Sequence, residues 1–99
     1  MKKITICGSI KYYETMLDLG LKLQLKGNVV LLPIFNPNSN ITISKEEKEL
    51  LDKIHKEKIK MSDEVYIVNE NNIGESTRSE IEFAKKLNKK INYYNDIGD

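Results

Sequence analysis

Four short apolar runs along the chain have the composition of buried β-strands: residues 4–7, 29–32, 64–69 and 91–94. Between them lie three segments in which hydrophobic residues recur at helical spacing: residues 14–26, 44–61 and 77–88. Strands that alternate with helices predict right-handed crossover connections and a parallel sheet. We therefore expect an α/β fold in which a small doubly wound sheet of about four strands carries helices on both faces.

Turn-forming residues mark the limits of these elements. Gly8 and Ser9 end the first run, and the segment 33–43, with two prolines and several asparagines, is predicted to be the longest loop. Ser44 and Glu47 have the spacing of a capping box and predict where the second helix begins. The polar tail, residues 95–99, is expected to be mobile. With 99 residues, the chain is expected to form a single domain, residues 1–99, of the flavodoxin or Rossmann type.

The helical spacing also predicts which side chains face the sheet. On the second helix the apolar arc consists of Leu50, Leu51, Ile54 and Met61. His55, the only histidine, falls at the edge of this arc, and a structural role is the usual one for a lone histidine. Lys58 falls within the arc, where its aliphatic stem can lie on the protein while the ammonium reaches water.

Composition and charge exclude several classes of function. Sixteen basic and 15 acidic side chains give a net charge of +1, which provides no broad field for a nucleic acid polymer or a membrane surface. The only cysteine, Cys7, lies in an apolar run and is predicted to be a small buried residue. No segment has the length of a membrane span or the pattern of a signal peptide. We expect a cytoplasmic protein.

The carboxyl ends of parallel strands are where ligands bind in such sheets. After the first strand, Gly8, Ser9 and Ile10 combine a flexible backbone with helix amides that suit a phosphate, although a plain strand-to-helix turn explains them equally well. Tyr12 is suited either to stack on a base or to cover the sheet edge.

A second group of polar residues follows the third strand. Beyond Asn69, the loop contains Gly74, and the next helix opens with Ser76, Thr77 and Arg78. Hydroxyl groups beside unpaired helix amides, together with a fixed positive charge, are suited to a phosphate or carboxylate ligand. The sequence therefore predicts an anion site at this end of the sheet.

Glu80 is unusual because its helical angle places it on the side of Phe83, Ala84 and Leu87, which should face the protein. Two interpretations remain open. Thr77 and Glu80 have the spacing of a capping box, in which the carboxylate reaches back to the helix start. Alternatively, the carboxylate is placed inward for chemistry.

Three motifs together resemble the nucleoside 2-deoxyribosyltransferase superfamily, and the resemblance extends over nearly the whole chain. They are Cys-Gly-Ser-Ile at 7–10, Ser-Asp-Glu-Val-Tyr-Ile-Val-Asn at 62–69, and Ile-Gly-Glu-Ser-Thr-Arg-Ser-Glu-Ile-Glu-Phe-Ala at 73–84, which is followed by Lys-Lys-Ile at 89–91. The chain is most similar to the small deoxyribosyltransferase-like branch. It also resembles the deoxynucleoside 5′-monophosphate N-glycosidases, which share the first motif.

The resemblance implies a role for Glu80 as the nucleophile that attacks the anomeric carbon of a 2-deoxyribosyl group and forms a covalent sugar ester. Transfer to a second base or hydrolysis by water then follows, as in a retaining glycosidase. No metal or organic cofactor is implied.

The chain departs from the family pattern at two positions. His55 stands where the family has an aspartate that exchanges a proton with the base, and an imidazole is able to take that role near neutral pH. Gly74 stands where the transferases have a second aspartate. With Ser9, Ser76 and Thr77 nearby, this change favours a 5′-phosphate over a bare 5′-hydroxyl.

The sequence thus predicts an enzyme of nucleotide metabolism, a transferase or hydrolase, acting on a deoxynucleoside or deoxynucleotide with Glu80 and His55 as catalytic residues. A non-catalytic nucleotide-binding module on the same fold is the alternative. A homodimer or larger homo-oligomer is expected, because active sites of the family are often completed by a neighbouring chain.

Overall fold

A four-stranded parallel sheet with three α-helices forms the protein in the computed structural model, which describes residues 1–36 and 41–96. The elements are, in chain order, β1 Lys3–Cys7, α1 Tyr13–Leu25, β2 Val29–Leu31, α2 Lys45–Met61, β3 Glu64–Val68, α3 Glu75–Lys86 and β4 Lys90–Tyr94. Short 3₁₀ turns precede α1 and α3, at Ile10–Tyr12 and Glu70–Asn72. The predicted loop 33–43 and tail 95–99 lie partly outside the described residues.

The order of the strands across the sheet is β2-β1-β3-β4, with every neighbouring pair parallel. β1 is central: Thr5 is aligned with Leu31 of β2 on one side and with Val65 of β3 on the other. From β1 the chain first adds β2 on one side and then adds β3 and β4 on the other side. The direction of strand addition therefore reverses between β1 and β3. The carboxyl ends of these two strands are the usual ligand site of a doubly wound sheet. The predicted fold class is confirmed.

Helices cover both faces of the sheet. α1 packs on one face through a cluster of buried apolar residues: Ile4, Ile6, Met16, Leu19, Leu23 and Val68. α2 and α3 share the other face through a second cluster: Cys7, Ile59, Val65, Ile67, Ile81 and Ala84. Alternation along β1 divides its side chains between the two faces, so that Thr5 and Cys7 point towards α2.

The predicted inner face of α2 is wrong. Leu50 and Met61 are 55% and 58% exposed, whereas the buried residues of this helix are His55 and Ile59. The 17-residue helix is about 25 Å long, but a five-residue strand is only about 16 Å long. Only part of α2 can therefore lie on the sheet, and its first turns extend past the carboxyl ends of the strands.

The predicted start of α3 is also wrong, and with it the capping-box interpretation of Glu80. The helix begins at Glu75 after Gly74, whose extended backbone makes no side-chain cap. Thr77 is inside the first turn and buried. Because the helix starts two residues before the position that the sequence indicated, Glu80 is in its second turn, where a carboxylate has no capping function. Among the described residues, no helix is long and apolar enough to cross a membrane.

The capping box at the start of α2 can be tested for its contribution to stability. The Ser44 side chain accepts a hydrogen bond from the Glu47 amide at 3.1 Å, and the Glu47 carboxylate accepts one from the Ser44 amide at 2.9 Å. Loss of this cap in Ser44→Ala should lower the free energy of unfolding by about 1 kcal/mol in urea denaturation. Thr42→Ala, an exposed change two residues earlier, is the control. Equal stability of the two variants would contradict the assignment.

Candidate active site

A cavity of about 460 Å³ opens at the carboxyl end of the sheet. The loop after β2 forms one wall, α2 forms a second, and the first turns of α3 form a third. The residues that line it are Gly8, Pro33, Ile34, Phe35, Asn36, Ile43, Lys48, Leu51, Asp52, Ile54, His55, Lys58, Ser76, Thr77 and Glu80. The part of α2 that extends past the strands thus forms a wall of the cavity. Its apolar residues Leu51 and Ile54 line the cavity and do not reach the core.

Glu80 lies at the inner end of this cavity. Its side chain is buried, with the residue only 7% exposed, and one carboxylate oxygen is 4.0 Å from Nε2 of His55. Within the described residues, no N–H or O–H group donates a hydrogen bond to this carboxylate. A buried carboxylate normally has such donors, because burial of an unpaired charge is costly. Glu80 is therefore placed at some cost to stability.

Burial raises the pKa of Glu80 from the ordinary 4.5 to about 7, and a hydrogen bond from the Cys7 thiol partly opposes this shift. A carboxyl group whose pKa is close to neutral exists in both forms at neutral pH. Such a shift in a cleft is typical of catalytic carboxylates, although structural groups show it too. The cavity and the lack of an N–H or O–H donor to Glu80 among the described residues favour the catalytic interpretation.

His55 is buried beside Glu80 and hydrogen-bonds to the backbone of β1. Its Nε2 is 3.1 Å from the carbonyl oxygen of Ile6. Because a carbonyl can only accept, Nε2 must carry the proton, and the neutral ring then has its lone pair on Nδ1. Nδ1 is buried and has no hydrogen-bond partner in the part of the chain that the structure describes. Burial, together with the charge of Lys58, lowers the pKa of His55 to about 4, so the ring is neutral at pH 7.

Cys7 is the third member of this buried cluster. Its Sγ lies 3.5 Å from Nε2 of His55, and burial raises the pKa of the thiol well above its ordinary value. Its predicted burial is confirmed, but its contact with the site was missed. The signal was present in the sequence, since alternation along a strand puts Cys7 and Thr5 on one face and Ile6 on the other.

The same three residues are the ones that could hold a metal ion. Single donor atoms of Cys7, His55 and Glu80 all lie within 4.8 Å of one another. Metal binding would require an unprotonated Nε2 and a thiolate. Here Nε2 donates a hydrogen bond to the Ile6 carbonyl oxygen, and the raised pKa of Cys7 keeps its thiol protonated. Without an ion the three side chains form a hydrogen-bonded cluster, and a metal ion bound between them would have to displace both protons.

A shallower depression of about 320 Å³ adjoins the cavity at the start of α3. Six predicted binding residues line it: Gly8, Ser9, Ile10, Gly74, Ser76 and Thr77. Gly8 is closely packed, because a Cβ there would lie 2.7 Å from the Met16 methyl group and 3.3 Å from Cβ of Val68, so that Met16 would have to shift. The first amides of α3 have no side-chain cap, and the Lys48 ammonium donates to the Ser76 hydroxyl at 3.1 Å. Uncapped amides, hydroxyls and a cation are the groups that bind phosphate.

Three other residues singled out in the sequence line neither cavity. Tyr12 packs against the core around α1, and Arg78 is exposed. Asn69 is buried in a left-handed conformation with φ of 50°, and its side chain accepts a hydrogen bond from the Asp96 amide at 2.7 Å. This bond gives Asn69 a structural role in joining the end of β3 to the segment after β4.

Two charged residues of the cavity were missed in the sequence. Lys48 and Asp52 lie on the face of α2 that carries His55, and Lys48 Nζ is 3.8 Å from the Asp52 carboxylate. Spacings of four and three residues place all three side chains on one face of a helix. The sequence contained this signal, but the apolar arc of α2 indicated a different inner face.

The free-energy cost of burying the Glu80 carboxylate can be measured from the pH dependence of the free energy of unfolding. Between pH 4.5 and about 7 the folded protein keeps a proton on Glu80 that the unfolded chain has released, so this group reduces stability as the pH rises through that window. Glu80→Gln removes the ionisation. The variant should exceed the wild type by about 2 to 3 kcal/mol in free energy of unfolding at pH 8, and by much less at pH 5.

The control for this measurement is Glu82→Gln, because Glu82 is 65% exposed on the same helix and, within residues 1–36 and 41–96, pairs only with Lys85. Chemical denaturation of the three proteins at both pH values isolates the effect of Glu80. An advantage of Glu80→Gln that does not grow with pH would contradict a raised pKa.

Comparison with known proteins supports the fold. No protein-family model matches the chain, and a search of curated proteins finds no match either. Among solved structures, the chain is similar to the CMP N-glycosidase BcmB of Clostridium botulinum, with a TM-score of 0.64 and 23% identity. The match covers 95% of this chain and 71% of that one. The chain therefore shares its α/β fold with a nucleotide N-glycosidase, which is the fold that the resemblance to the deoxyribosyltransferases implies.

Proposed function

We propose that this protein cleaves the N-glycosidic bond of nucleoside 5′-monophosphates, with a 2′-deoxynucleotide as its substrate and Glu80 as its nucleophile. The observation that carries this proposal is the environment of Glu80. It is a buried carboxylate with a raised pKa, it has no role in capping α3, and it faces a cavity. The structural similarity to a CMP N-glycosidase supports the same reaction class, and the preference for deoxyribose comes from the sequence motifs.

The chemistry follows from this placement. An ionised Glu80 oxygen attacks the anomeric carbon of the sugar as the bond to the base nitrogen breaks, and the bonding pair leaves with the base. The nearby anion also stabilises the positive charge that develops on the sugar ring. Water then attacks the sugar ester and releases Glu80, which gives hydrolysis. A second base in place of water gives transfer.

The phosphate is assigned to the depression at the start of α3. There the amides after Gly74, the hydroxyls of Ser9, Ser76 and Thr77, and the Lys48 ammonium surround a space beside the cavity. A phosphate held there places the sugar towards Glu80 and the base towards the apolar wall after β2. Asp52, 40% exposed in the same cavity, offers its carboxylate to a sugar hydroxyl.

His55 holds the site together in this proposal and does not protonate the base. Its proton on Nε2 is directed to the Ile6 carbonyl, and its pKa of about 4 leaves it neutral at physiological pH. The family resemblance suggested His55 as the proton donor, but the protonated ring that could give up a proton is scarce at this pKa. His55 instead fills the space between β1 and Glu80 and excludes water from one side of the carboxylate.

A homodimer is part of the proposal, since the mouth of the cavity carries exposed apolar side chains of α2. Leu50 and Ile54 are 55% and 43% exposed. An exposed cluster of this kind is typical of a surface that another chain covers. A second copy would deepen the site and exclude water from the sugar.

A non-catalytic nucleotide-binding module is the second candidate. The neutral, hydrogen-bonded state of His55 favours it, because the family's acidic residue is replaced by a group that is a poor proton donor here. This candidate predicts nucleotide binding by calorimetry without release of a base. It also predicts that Glu80→Gln binds nucleotides as well as the wild type does.

Release of free base provides the direct test of the enzymatic proposal. The protein is incubated with a panel of nucleosides and nucleoside 5′-monophosphates of both sugars, and the products are separated by chromatography. We expect base release from a 2′-deoxynucleoside 5′-monophosphate, reduced by roughly 10³-fold or more in Glu80→Ala. Glu82→Gln should retain wild-type activity. The absence of free base from every substrate would overturn the proposal.

The phosphate assignment has a separate test in Lys48→Met. Loss of one charged hydrogen-bond donor, worth about 1.5 to 3 kcal/mol, should weaken binding of the monophosphate by roughly 10- to 100-fold. Binding of the matching nucleoside should not change. Lys53→Met, an exposed change on the same helix, is the control. If Lys48→Met weakens nucleoside and monophosphate binding equally, the phosphate lies elsewhere.

A further inference from the structure

Lys58 is a cation that lines the cavity beside the end of β2. It lies on α2 three residues after His55, and its Nζ donates to the Leu32 carbonyl at 2.7 Å. The stem is partly buried, and among the described residues no carboxylate pairs with the ammonium.

The ordinary explanation of Lys58 is a snorkelling side chain that satisfies the carbonyl at the end of β2. This explanation accounts for one of three N–H donors. It does not account for the position of this cation in a cavity whose lining also includes the apolar residues Pro33, Ile34 and Ile54. Burial lowers the pKa of Lys58 below its ordinary 10.5, so the ammonium gives up a proton more readily than in water.

The reaction proposed above needs a proton donor for the departing base, because the base leaves with an electron pair. Two cavity residues do not supply it. His55 is neutral, with its one proton directed to Ile6. The Asp52 carboxylate pairs with the Lys48 ammonium at 3.8 Å, on the side of the cavity assigned to the phosphate. Lys58 is the remaining proton-bearing charged group on this side of the described cavity.

Position along α2 gives the same assignment. Lys48 reaches the phosphate depression, His55 lies beside Glu80, and Lys58 lies ten residues from Lys48, about 15 Å along the helix axis. Phosphate, sugar and base follow one another in the same order in a nucleotide. A nucleotide with its phosphate near Ser76 and its sugar at Glu80 therefore has its base on the Lys58 side.

We infer that Lys58 is a catalytic residue of the proposed N-glycosidic cleavage, whose ammonium contacts the departing base at the acceptor atom next to the glycosidic nitrogen, O2 of a pyrimidine or N3 of a purine. This inference rests on the proposed function. As Glu80 forms its bond to the anomeric carbon, the pair of the breaking bond moves onto the base. Its negative charge is delocalised onto O2 or N3, and that atom takes a proton from Lys58, which becomes a neutral amine. The water that later cleaves the sugar ester loses a proton, and Lys58 is protonated again.

The test compares two substrates that differ only in leaving-group acidity, 2′-deoxyuridine 5′-monophosphate and its 5-fluoro analogue. Loss of a general acid should matter less when the base departs readily as an anion. In Lys58→Met, we expect kcat to fall by about 10²-fold for the uracil substrate and clearly less for the 5-fluorouracil substrate. Lys60→Met, an exposed change on the same helix, should leave both rates unchanged. Equal losses for the two substrates in Lys58→Met would overturn the inference.

A binding measurement keeps the two proposals distinguishable. In a Glu80→Gln background, Lys58→Met should weaken calorimetric binding of 2′-deoxyuridine 5′-monophosphate by roughly tenfold, while binding of 2-deoxyribose 5-phosphate should not change. If the wild type releases no base but this selective loss is seen, the proposed reaction fails and the contact between Lys58 and the base stands. If both ligands lose affinity equally or neither does, Lys58 does not contact the base, whatever the activity of the wild type.

Discussion

The burial of the Glu80 carboxylate where α3 meets the carboxyl end of β1 is the constraint on which the site depends. Two other polar groups are arranged around it. His55 directs its proton to the Ile6 carbonyl, and Cys7 presents a protonated thiol. Neither provides a cationic partner, so the pKa of Glu80 stays near neutral. A salt bridge at this position would stabilise the carboxylate in the ground state and reduce its reactivity towards a developing sugar cation.

The lengths of the strands and helices and the points where the helices begin create this environment. Short parallel strands end early, while α2 extends beyond them and forms a wall of the cavity. The early start of α3 at Glu75 turns uncapped amides towards the same space and moves Glu80 into the second turn. The depression at the start of α3, the Glu80 carboxylate and the Lys58 ammonium thus follow from where two helices begin and end relative to one sheet.

Much of this arrangement could be predicted from the sequence. The four strands were visible as apolar runs, the start of α2 from Ser44 and Glu47, and the inward position of Glu80 from helical spacing. Two predictions were wrong for separate reasons. Periodicity on α2 assumes that the most apolar arc faces the sheet, but Leu50 and Ile54 extend past the sheet, and His55 occupies the buried position. The start of α3 was misplaced because Gly74 caps the helix without a side chain, so Thr77 was the stronger local signal.

Attack by Glu80 on the sugar is the central claim, and trapping of the sugar ester tests it most directly. A 2′-deoxy-2′-fluoroarabinosyl nucleoside 5′-monophosphate contains fluorine at C2′, which slows breakdown of such an ester. Intact mass spectrometry after incubation should show one added fluorodeoxyribosyl phosphate on the wild-type protein, and peptide mapping should locate it on Glu80. A protein that releases base from this analogue without any adduct, or with an adduct on another residue, would contradict the proposed role of Glu80.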